Sequence, residues 1–161
     1  MQFEFGDPDP HGRAVILAKA RRLEDLAADL RVISDSFVLG IAANTSTLTG
    51  PALVDMATQL LRRGASYVCC WGPDCSRLHD CFDESDSAVH GSSTDDRILM
   101  TTWHESESLE EMIWFALNST VPAPHYFAHT RAVVIATIGS DEWAAGAAKY
   151  LASRAPMLNE S

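Results

Sequence analysis

Runs of apolar, β-forming residues recur five times along the chain, with helical spacing after each of them. The runs are almost continuously apolar, which is typical of strands that are buried on both faces of a parallel sheet. Because strand and helix patterns alternate, the order predicts a sheet that lies between layers of helices. The predicted strands are residues 14–18, 37–43, 67–71, 98–103 and 132–138.

The helical segments carry their own start signals. The first apolar stripe covers residues 23–33, and its beginning merges with the strand before it. The third helix is predicted to open at Pro73, because proline is favoured in the first turn of a helix. The fourth begins at Ser108 with Glu111 as its capping-box partner, and Ser140 caps the fifth.

These elements predict an α/β fold of one domain that covers residues 1–161. We expect a three-layer α/β/α sandwich with a mainly parallel sheet of about five strands, flavodoxin-like or Rossmann-like in kind. One sequence does not give the strand order, and an antiparallel edge strand remains an open alternative. Residues 1–12 and 155–161 are expected to be flexible tails.

Two segments depart from the alternating pattern. Residues 83–96 are polar, acidic and rich in turn formers, which predicts an exposed loop. Residues 118–130 contain two prolines among aromatic and histidine residues, which predicts an irregular connection.

Composition narrows the partners that suit this fold. The 161 residues are 47% hydrophobic, enough for one domain with its own core, and 12 basic side chains against 22 acidic ones give a net charge of −10. That charge repels phosphate backbones and anionic lipid surfaces, so we expect neither nucleic acid nor a membrane as a partner. It suits solubility, and it also suits docking to a basic protein surface.

The N-terminus and the cysteines indicate the compartment. Residues 1–10 lack a basic start followed by an apolar run, so we expect no secretory signal and a cytoplasmic protein. All four cysteines fall within thirteen positions, and in a cytoplasm they are thiols, metal ligands or catalytic groups before they are disulfides. They are Cys69, Cys70, Cys75 and Cys81.

Polar residues collect where the predicted strands end. If the sheet is parallel, one edge gathers residues 44–46, 71–75, 103–105 and 139–142. Ligands of open α/β sheets bind in crevices at this edge, so it is the expected site. Which of the four groups are neighbours depends on the strand order.

One hypothesis for this edge is thiol catalysis. Cys75 would be the nucleophile, His104 or His79 the base, and Glu105 or Asp80 the group that orients the imidazole. A cysteine in the first turn of a helix is stabilised as thiolate by free N–H groups. However, Cys75 also shares the apolar stripe of its helix, which is where an inert core cysteine lies.

Metal binding is a weaker hypothesis. Cys75 and His79 are four residues apart on a helix, as paired ligands must be, and Cys70, Cys81 or His104 would have to complete the set. The chain has neither a Cys-x-x-Cys pair nor a His-Glu-x-x-His signature, so we expect no bound metal.

A third hypothesis is a pocket that binds without chemistry. Two indoles would stack on a planar ligand or a partner chain, and four polar side chains would supply further contacts. The proposed ligand-binding residues are Trp71, Asp74, His79, Trp103, His104 and Glu105. Packing of each indole against the next helix is the competing interpretation.

Several common sites are missing from the sequence. No Gly-x-Gly-x-x-Gly follows the first strand and no Gly-x-x-x-x-Gly-Lys-Ser/Thr loop occurs, so we expect no nucleotide cofactor of the usual kinds, and no other cofactor is indicated. A Gly-x-Ser-x-Gly elbow is absent as well. The first strand ends at residues 18–22 without an acidic pair, which argues against a phospho-acceptor receiver.

Five short motifs between residues 67 and 117 resemble those of an uncharacterised family of small bacterial α/β proteins. The motifs are Val-Cys-Cys-Trp-Gly-Pro-Asp-Cys at 68–75, His-Asp at 79–80, Met-Thr-Thr-Trp-His at 100–104, Leu-Glu-Glu at 109–111 and Trp-Phe at 114–115. The resemblance covers about a third of the chain. It implies an α/β fold in a bacterial cytoplasm and carries no activity with it.

Together these observations favour an accessory or regulatory protein that binds a partner protein or a small ligand at the C-terminal edge of its sheet. The alternative is a Cys/His-dependent hydrolase or transferase that uses Cys75 and His104. A homo-oligomer is compatible with either. Two segments end a predicted strand with a tryptophan, residues 67–75 and 98–105, and we call them the tryptophan segments. The second, which ends in His104 and Glu105, is the better functional candidate, because it leaves its strand at a turn.

Overall fold

The computed structural model describes residues 1–91, 94 and 96–154, and these form six strands and six helices. The strands are β1 (Gln2–Gly6), β2 (Ala14–Ala20), β3 (Ser36–Ala42), β4 (Ala65–Trp71), β5 (Met100–Trp103) and β6 (Thr130–Ile138). The helices are α1 (Leu23–Asp29), α2 (Gly50–Arg62), α3 (Cys75–His90), α4 (Leu109–Asn118), α5 (Pro124–Phe127) and α6 (Asp141–Ser153).

The six strands form one sheet in the order β1-β2-β6-β3-β4-β5. β1 runs antiparallel to β2, and every other neighbouring pair is parallel. The chain is therefore an α/β protein with a mostly parallel sheet. Its last strand, β6, lies between β2 and β3 instead of at an edge.

Apolar side chains cover both faces of the sheet. Along β3, Phe37, Leu39 and Ile41 belong to a cluster that includes residues of α1, α2 and α3, which we call the first core. Val38 and Ala42 point to the opposite face, where α4 and α6 contribute, and this is the second core. Every residue of β3 is buried, which explains why its sequence is apolar throughout instead of alternating.

All five predicted strands are confirmed to within a few residues, and the structure adds a sixth. β1 lies within residues 1–12, where we expected a flexible tail. All five of its residues are exposed, so it lacks the apolar run that marks the other strands. Its pairing with β2 supplies the antiparallel edge strand that the sequence left open. Residues 155–161, the other predicted tail, lie outside the described residues.

The predicted loop at residues 83–96 is wrong in its first half, because α3 continues to His90. Asp86 lies inside that half and is buried. One of its carboxylate oxygens lies 2.6 Å from His90 Nδ1, and the other accepts a hydrogen bond from the Leu99 backbone at 3.1 Å. Asp86, one of the acidic residues that suggested a loop, therefore links α3 to the segment that leads into β5.

Two of the three predicted helix starts are confirmed, and the third lies two residues later than predicted. The Ser108–Glu111 capping box is present, and Ser140 accepts a hydrogen bond from the Trp143 backbone at 3.1 Å, so both predictions are confirmed. α3 begins at Cys75 instead of Pro73. At the other end of the chain, α1 stops at Asp29, so the predicted stripe over residues 23–33 is longer than the helix.

A buried ion pair ties the segment before β2 to the end of α4. Arg13 Nε lies 2.6 Å from Asp9 Oδ2, and both side chains are almost completely buried. The same guanidinium donates to the backbone carbonyl of Thr120 at 2.9 Å and to its hydroxyl at 3.0 Å. Burying two charges is tolerated here because nearly every donor of the arginine has a partner.

Replacing Arg13 with methionine is expected to destabilise the protein by about 3 kcal/mol or more, because Asp9 would stay buried without its counter-charge. Urea unfolding followed by circular dichroism measures this change. As a control, Arg131→Ala removes an exposed arginine and should change stability by no more than about 0.5 kcal/mol. Equal effects of the two substitutions would contradict a structural role for the buried pair.

Candidate functional site

The strand order creates a crevice at the carboxyl ends of β2, β6 and β3. The helices that follow β2 and β3 belong to the first core, whereas α6, which follows β6, belongs to the second. The chain that leaves β6 therefore turns to one face of the sheet, whereas the chain that leaves its neighbours β2 and β3 turns to the other face. In open α/β sheets such a divergence opens a crevice where ligands bind.

Two cavities occupy this crevice, and they share Arg21, Arg22, Gly139 and Ser140. The larger has a volume of about 680 Å³ and the smaller about 500 Å³. The larger is lined in addition by Lys19, Ala20, Asp25 and Asp141. The smaller adds Leu23, Glu24, Ala43, Asn44, Thr47, Leu48, Ile138 and Trp143.

A glycine holds the two turns of the crevice together. The Gly139 backbone N–H donates to the carbonyl of Ala20 at 2.9 Å, which fixes the end of β6 against the end of β2. Gly139 has φ +71°, and a Cβ at this position would lie only 3.2 Å from the carbonyl oxygen of Arg21. A side chain here would therefore be strained and crowded, so glycine permits the close approach.

The crevice carries cations in a strongly acidic chain. Lys19 Nζ lies 2.6 Å from Asp141 Oδ1, and the hydrogen bond from this lysine holds the pKa of Asp141 below its ordinary value, with a smaller contribution from Arg21. In the part of the chain that the structure describes, the side chains of Arg21 and Arg22 make no hydrogen bond or ion pair, and both residues are exposed. Two guanidinium groups are therefore available to a ligand.

The two tryptophan segments end β4 and β5, and their indoles lie on opposite faces of the sheet. Neither indole lines the two cavities, although Trp71 contacts Trp143, which does. Trp71 Nε1 donates to the backbone carbonyl of Glu107 at 2.8 Å, and its ring meets Trp143 edge-on at 5.1 Å. Trp71 packs against the second core. Its indole is thus used for packing, with its N–H satisfied by backbone.

Trp103 points toward the opposite face and is 51% exposed. Its ring lies 4.6 Å from that of His79, whose Nδ1 is 3.1 Å from Asp80 and whose Nε2 is 3.6 Å from Asp83. Asp83 also accepts a hydrogen bond from the Thr101 hydroxyl at 2.6 Å. The structure thus brings Trp103 and His79 together, at an edge of the sheet.

His104 is buried, although we expected the turn to leave it exposed. Its Nε2 lies 2.9 Å from the Thr102 hydroxyl and its Nδ1 2.8 Å from Glu107, while its ring packs 4.9 Å from that of Phe115. The neighbouring Glu105 is exposed. Both ring nitrogens of His104 are occupied by protein groups, so neither is directed at a thiol.

Cys75 is buried in the first core, away from the imidazole of His104. Burial raises the pKa of the Cys75 thiol, and a hydrogen bond from the His104 backbone offsets only part of that shift. Asp74 is exposed at the N-cap of α3 in a left-handed conformation, and its side chain makes no capping bond. The His104 backbone and Glu105 thus lie near the thiol, but the imidazole that would act as the base is bonded to Thr102 and Glu107 instead.

The remaining cysteines are also buried and free. Burial raises the pKa of Cys69 to about 12 and also raises that of Cys70 and Cys81. Among the described residues, no group of three or more histidine, cysteine, aspartate or glutamate side chains is arranged to hold a metal ion.

A family model described as Domain of unknown function (DUF7684) matches residues 13–154. The chain belongs to this family. No curated protein and no solved structure matches the chain. Within the described residues, no helix has the length and apolar character needed to cross a membrane.

The match to DUF7684 includes both the crevice and the two tryptophan segments. β1 lies outside the matched residues, so the edge strand is not part of the DUF7684 match. The candidate site therefore lies within the residues that match the family model.

The basic residues of the crevice were not among the site residues predicted from the sequence. Lys19, Arg21 and Arg22 follow the first buried strand of an acidic chain, and this local reversal of charge was the available signal. The expected edge group at residues 139–142 does contribute, through Gly139 and Ser140. Linking the two groups required the strand order.

We expect the folded protein to react slowly with a thiol-specific disulfide reagent at about pH 8, more than about 100-fold more slowly than in denaturant, because burial disfavours thiolate. Absorbance of the released thiolate counts the reacting cysteines. The denatured protein is the control and should release four equivalents. Rapid labelling of Cys75 that His104→Ala abolishes would contradict the buried arrangement and restore the thiol mechanism.

Proposed function

We propose that this protein is a non-catalytic accessory or regulatory protein that binds a small anionic ligand at the C-terminal edge of its sheet. The ligand lies in the crevice between β2, β6 and β3. The observation that carries this proposal is the pair Arg21 and Arg22, whose side chains lack protein partners in the described residues and line both cavities.

The cavities suit a small organic molecule that carries a carboxylate or phosphate group. Their volumes of about 680 and 500 Å³ match those of small-molecule sites. A guanidinium group donates two parallel hydrogen bonds to a carboxylate or phosphate, which makes arginine effective at such sites.

The other lining residues restrict the rest of the ligand. Glu24 and Asp25 disfavour a ligand that is negative over its whole surface, and they accept hydrogen bonds from hydroxyl or amino groups. Leu48, Ile138 and Trp143 provide apolar contact in the smaller cavity. An organic acid or phosphate ester with a polar body meets these requirements.

The lining of the two cavities supports binding without catalysis. Among the described residues, those that line the two cavities include no cysteine and no histidine. The candidate pair of the alternative hypothesis, Cys75 and His104, lies elsewhere with its reactive atoms buried or occupied.

The proposal extends to the fold type and the setting. Helices on both faces of a mostly parallel sheet support a three-layer α/β/α sandwich of Rossmann-like kind. Four cysteines without disulfides support a reducing cytoplasm, in agreement with the bacterial setting that the motif resemblance implies.

Thermal unfolding in inorganic phosphate tests the proposal. Phosphate at about ten times its dissociation constant should stabilise the native state by about 1.4 kcal/mol, which raises the Tm by about 3–5 °C. The reference is chloride at equal ionic strength. The double variant Arg21→Ala with Arg22→Ala should lose this shift, because it removes both guanidinium groups.

Arg131→Ala is the matched control, because Arg131 is also an exposed arginine. It lies near the start of β6, at the end of the strand that is remote from Gly139 and the crevice. It should retain the full phosphate shift. A shift that survives in the double variant, or that is equal in chloride and phosphate, would reject the crevice as an anion site.

A further inference from the structure

β5 is an edge strand of the sheet. It is last in the strand order, and among the described residues it pairs only with β4. His104 N–H donates to the carbonyl of Cys70 at 2.9 Å, so residues 102 and 104 direct their backbone groups toward β4. Because direction alternates along a strand, the N–H and C=O of Thr101 and Trp103 point away from the sheet.

Side chains next to this edge add a half-exposed indole. Trp103 contacts His79 and is 51% exposed. Ile98 and Met100, just before it, are each about 40% exposed. An unpaired strand edge with exposed apolar side chains is a template for pairing with another extended chain.

The charges around this edge are mainly negative, and the exception is the exposed Arg97 next to Ile98. Residues 79–84 and 100–107, which form the edge and the adjacent turn of α3, contain five carboxylates and no lysine or arginine. The carboxylates are Asp80, Asp83, Glu84, Glu105 and Glu107, and each is exposed. A second copy of the chain would bring like charges together, whereas a basic segment would be attracted.

We propose that β5 binds an extended, basic segment of a partner protein, which adds to the sheet as a seventh strand. Its backbone pairs with Thr101 and Trp103, and its lysine or arginine side chains meet the carboxylates and the face of Trp103. This surface is distinct from the anion crevice, so the protein has one site for a small anion and another for a basic chain.

The probe is a synthetic peptide, acetyl-Lys-Val-Arg-Val-Lys-Val-amide, and titration is followed by amide chemical shifts and by isothermal calorimetry. We expect shifts concentrated at residues 100–104 and binding that weakens as salt is added. The acidic counterpart, acetyl-Glu-Val-Glu-Val-Glu-Val-amide, should not bind. Absence of binding by the basic peptide, or equal binding by both, would overturn the proposal.

Two variants separate the backbone contribution from that of charge. Thr101→Pro removes an outward N–H without removing a bond to β4, and it should weaken peptide binding at least about tenfold. Asp80→Lys with Glu105→Lys should weaken it by a similar factor, because it reverses two exposed charges beside the edge.

Glu4→Lys with Asp7→Lys is the matched control, with the same change in net charge at the opposite edge of the sheet. It should retain most of the affinity. Equal loss in the two charge variants would show that only net charge matters and would overturn a site on β5. The Arg21→Ala with Arg22→Ala variant should bind the peptide normally, so each site can fail without the other.

Analytical ultracentrifugation tests whether a second copy of the chain, instead of a basic partner, pairs with β5. If the wild-type chain is a dimer and Thr101→Pro makes it a monomer, β5 pairs with a second copy and the proposal of a basic partner is wrong. A wild-type monomer that binds the basic peptide supports the proposal.

Discussion

Hydrogen bonding of β6 to both β2 and β3 is the constraint on which the rest of the structure depends. The last strand of the chain enters the middle of the sheet, parallel to both neighbours, and α6 then packs on the face opposite to α1 and α2. This insertion places Gly139 and Ser140 beside Arg21 and Arg22, which are more than a hundred residues away in sequence. It also leaves β4 and β5 as an outer pair, so that Trp103 on β5 lies two strands away from β3 and the crevice, whereas Trp71 on β4 adjoins it through Trp143.

One consequence is a separation of charge along the carboxyl edge of the sheet. The crevice in the middle presents two arginines that lack side-chain partners among the described residues, and the outer strand presents carboxylates around Trp103. In the function that we propose, these two surfaces attract ligands of opposite sign. The same sheet would then connect a small anion with a basic partner chain.

The parts of the fold that could be predicted are those fixed by local chemistry. Continuous apolar runs identified the five strands β2 to β6, and the hydrogen bonds of Ser108 with Glu111 confirm a helix start that was visible as a four-residue pattern. β1 was missed because it is exposed on both faces and has no apolar run. The extension of α3 was missed because Asp86, polar in sequence, is buried and bonded to His90.

The candidate site was harder to predict because it depends on contacts between distant residues. His104 was expected at a solvent-exposed turn, yet it continues the alternation of β5 and its ring lies against Phe115. Arg21 and Gly139 each looked unremarkable in sequence, and only the insertion of β6 brings them together. Strand order, which a single sequence does not encode locally, therefore decided which residues form a site.

Anion binding in the crevice is tested by amide chemical shifts recorded while inorganic phosphate is added to the isotopically labelled protein. We expect saturable shifts that cluster at Arg21, Arg22, Gly139 and Ser140, with the amides of residues 100–107 unchanged. Shifts that cluster at Trp103, His104 and Glu105, or that never saturate at any position, would contradict it.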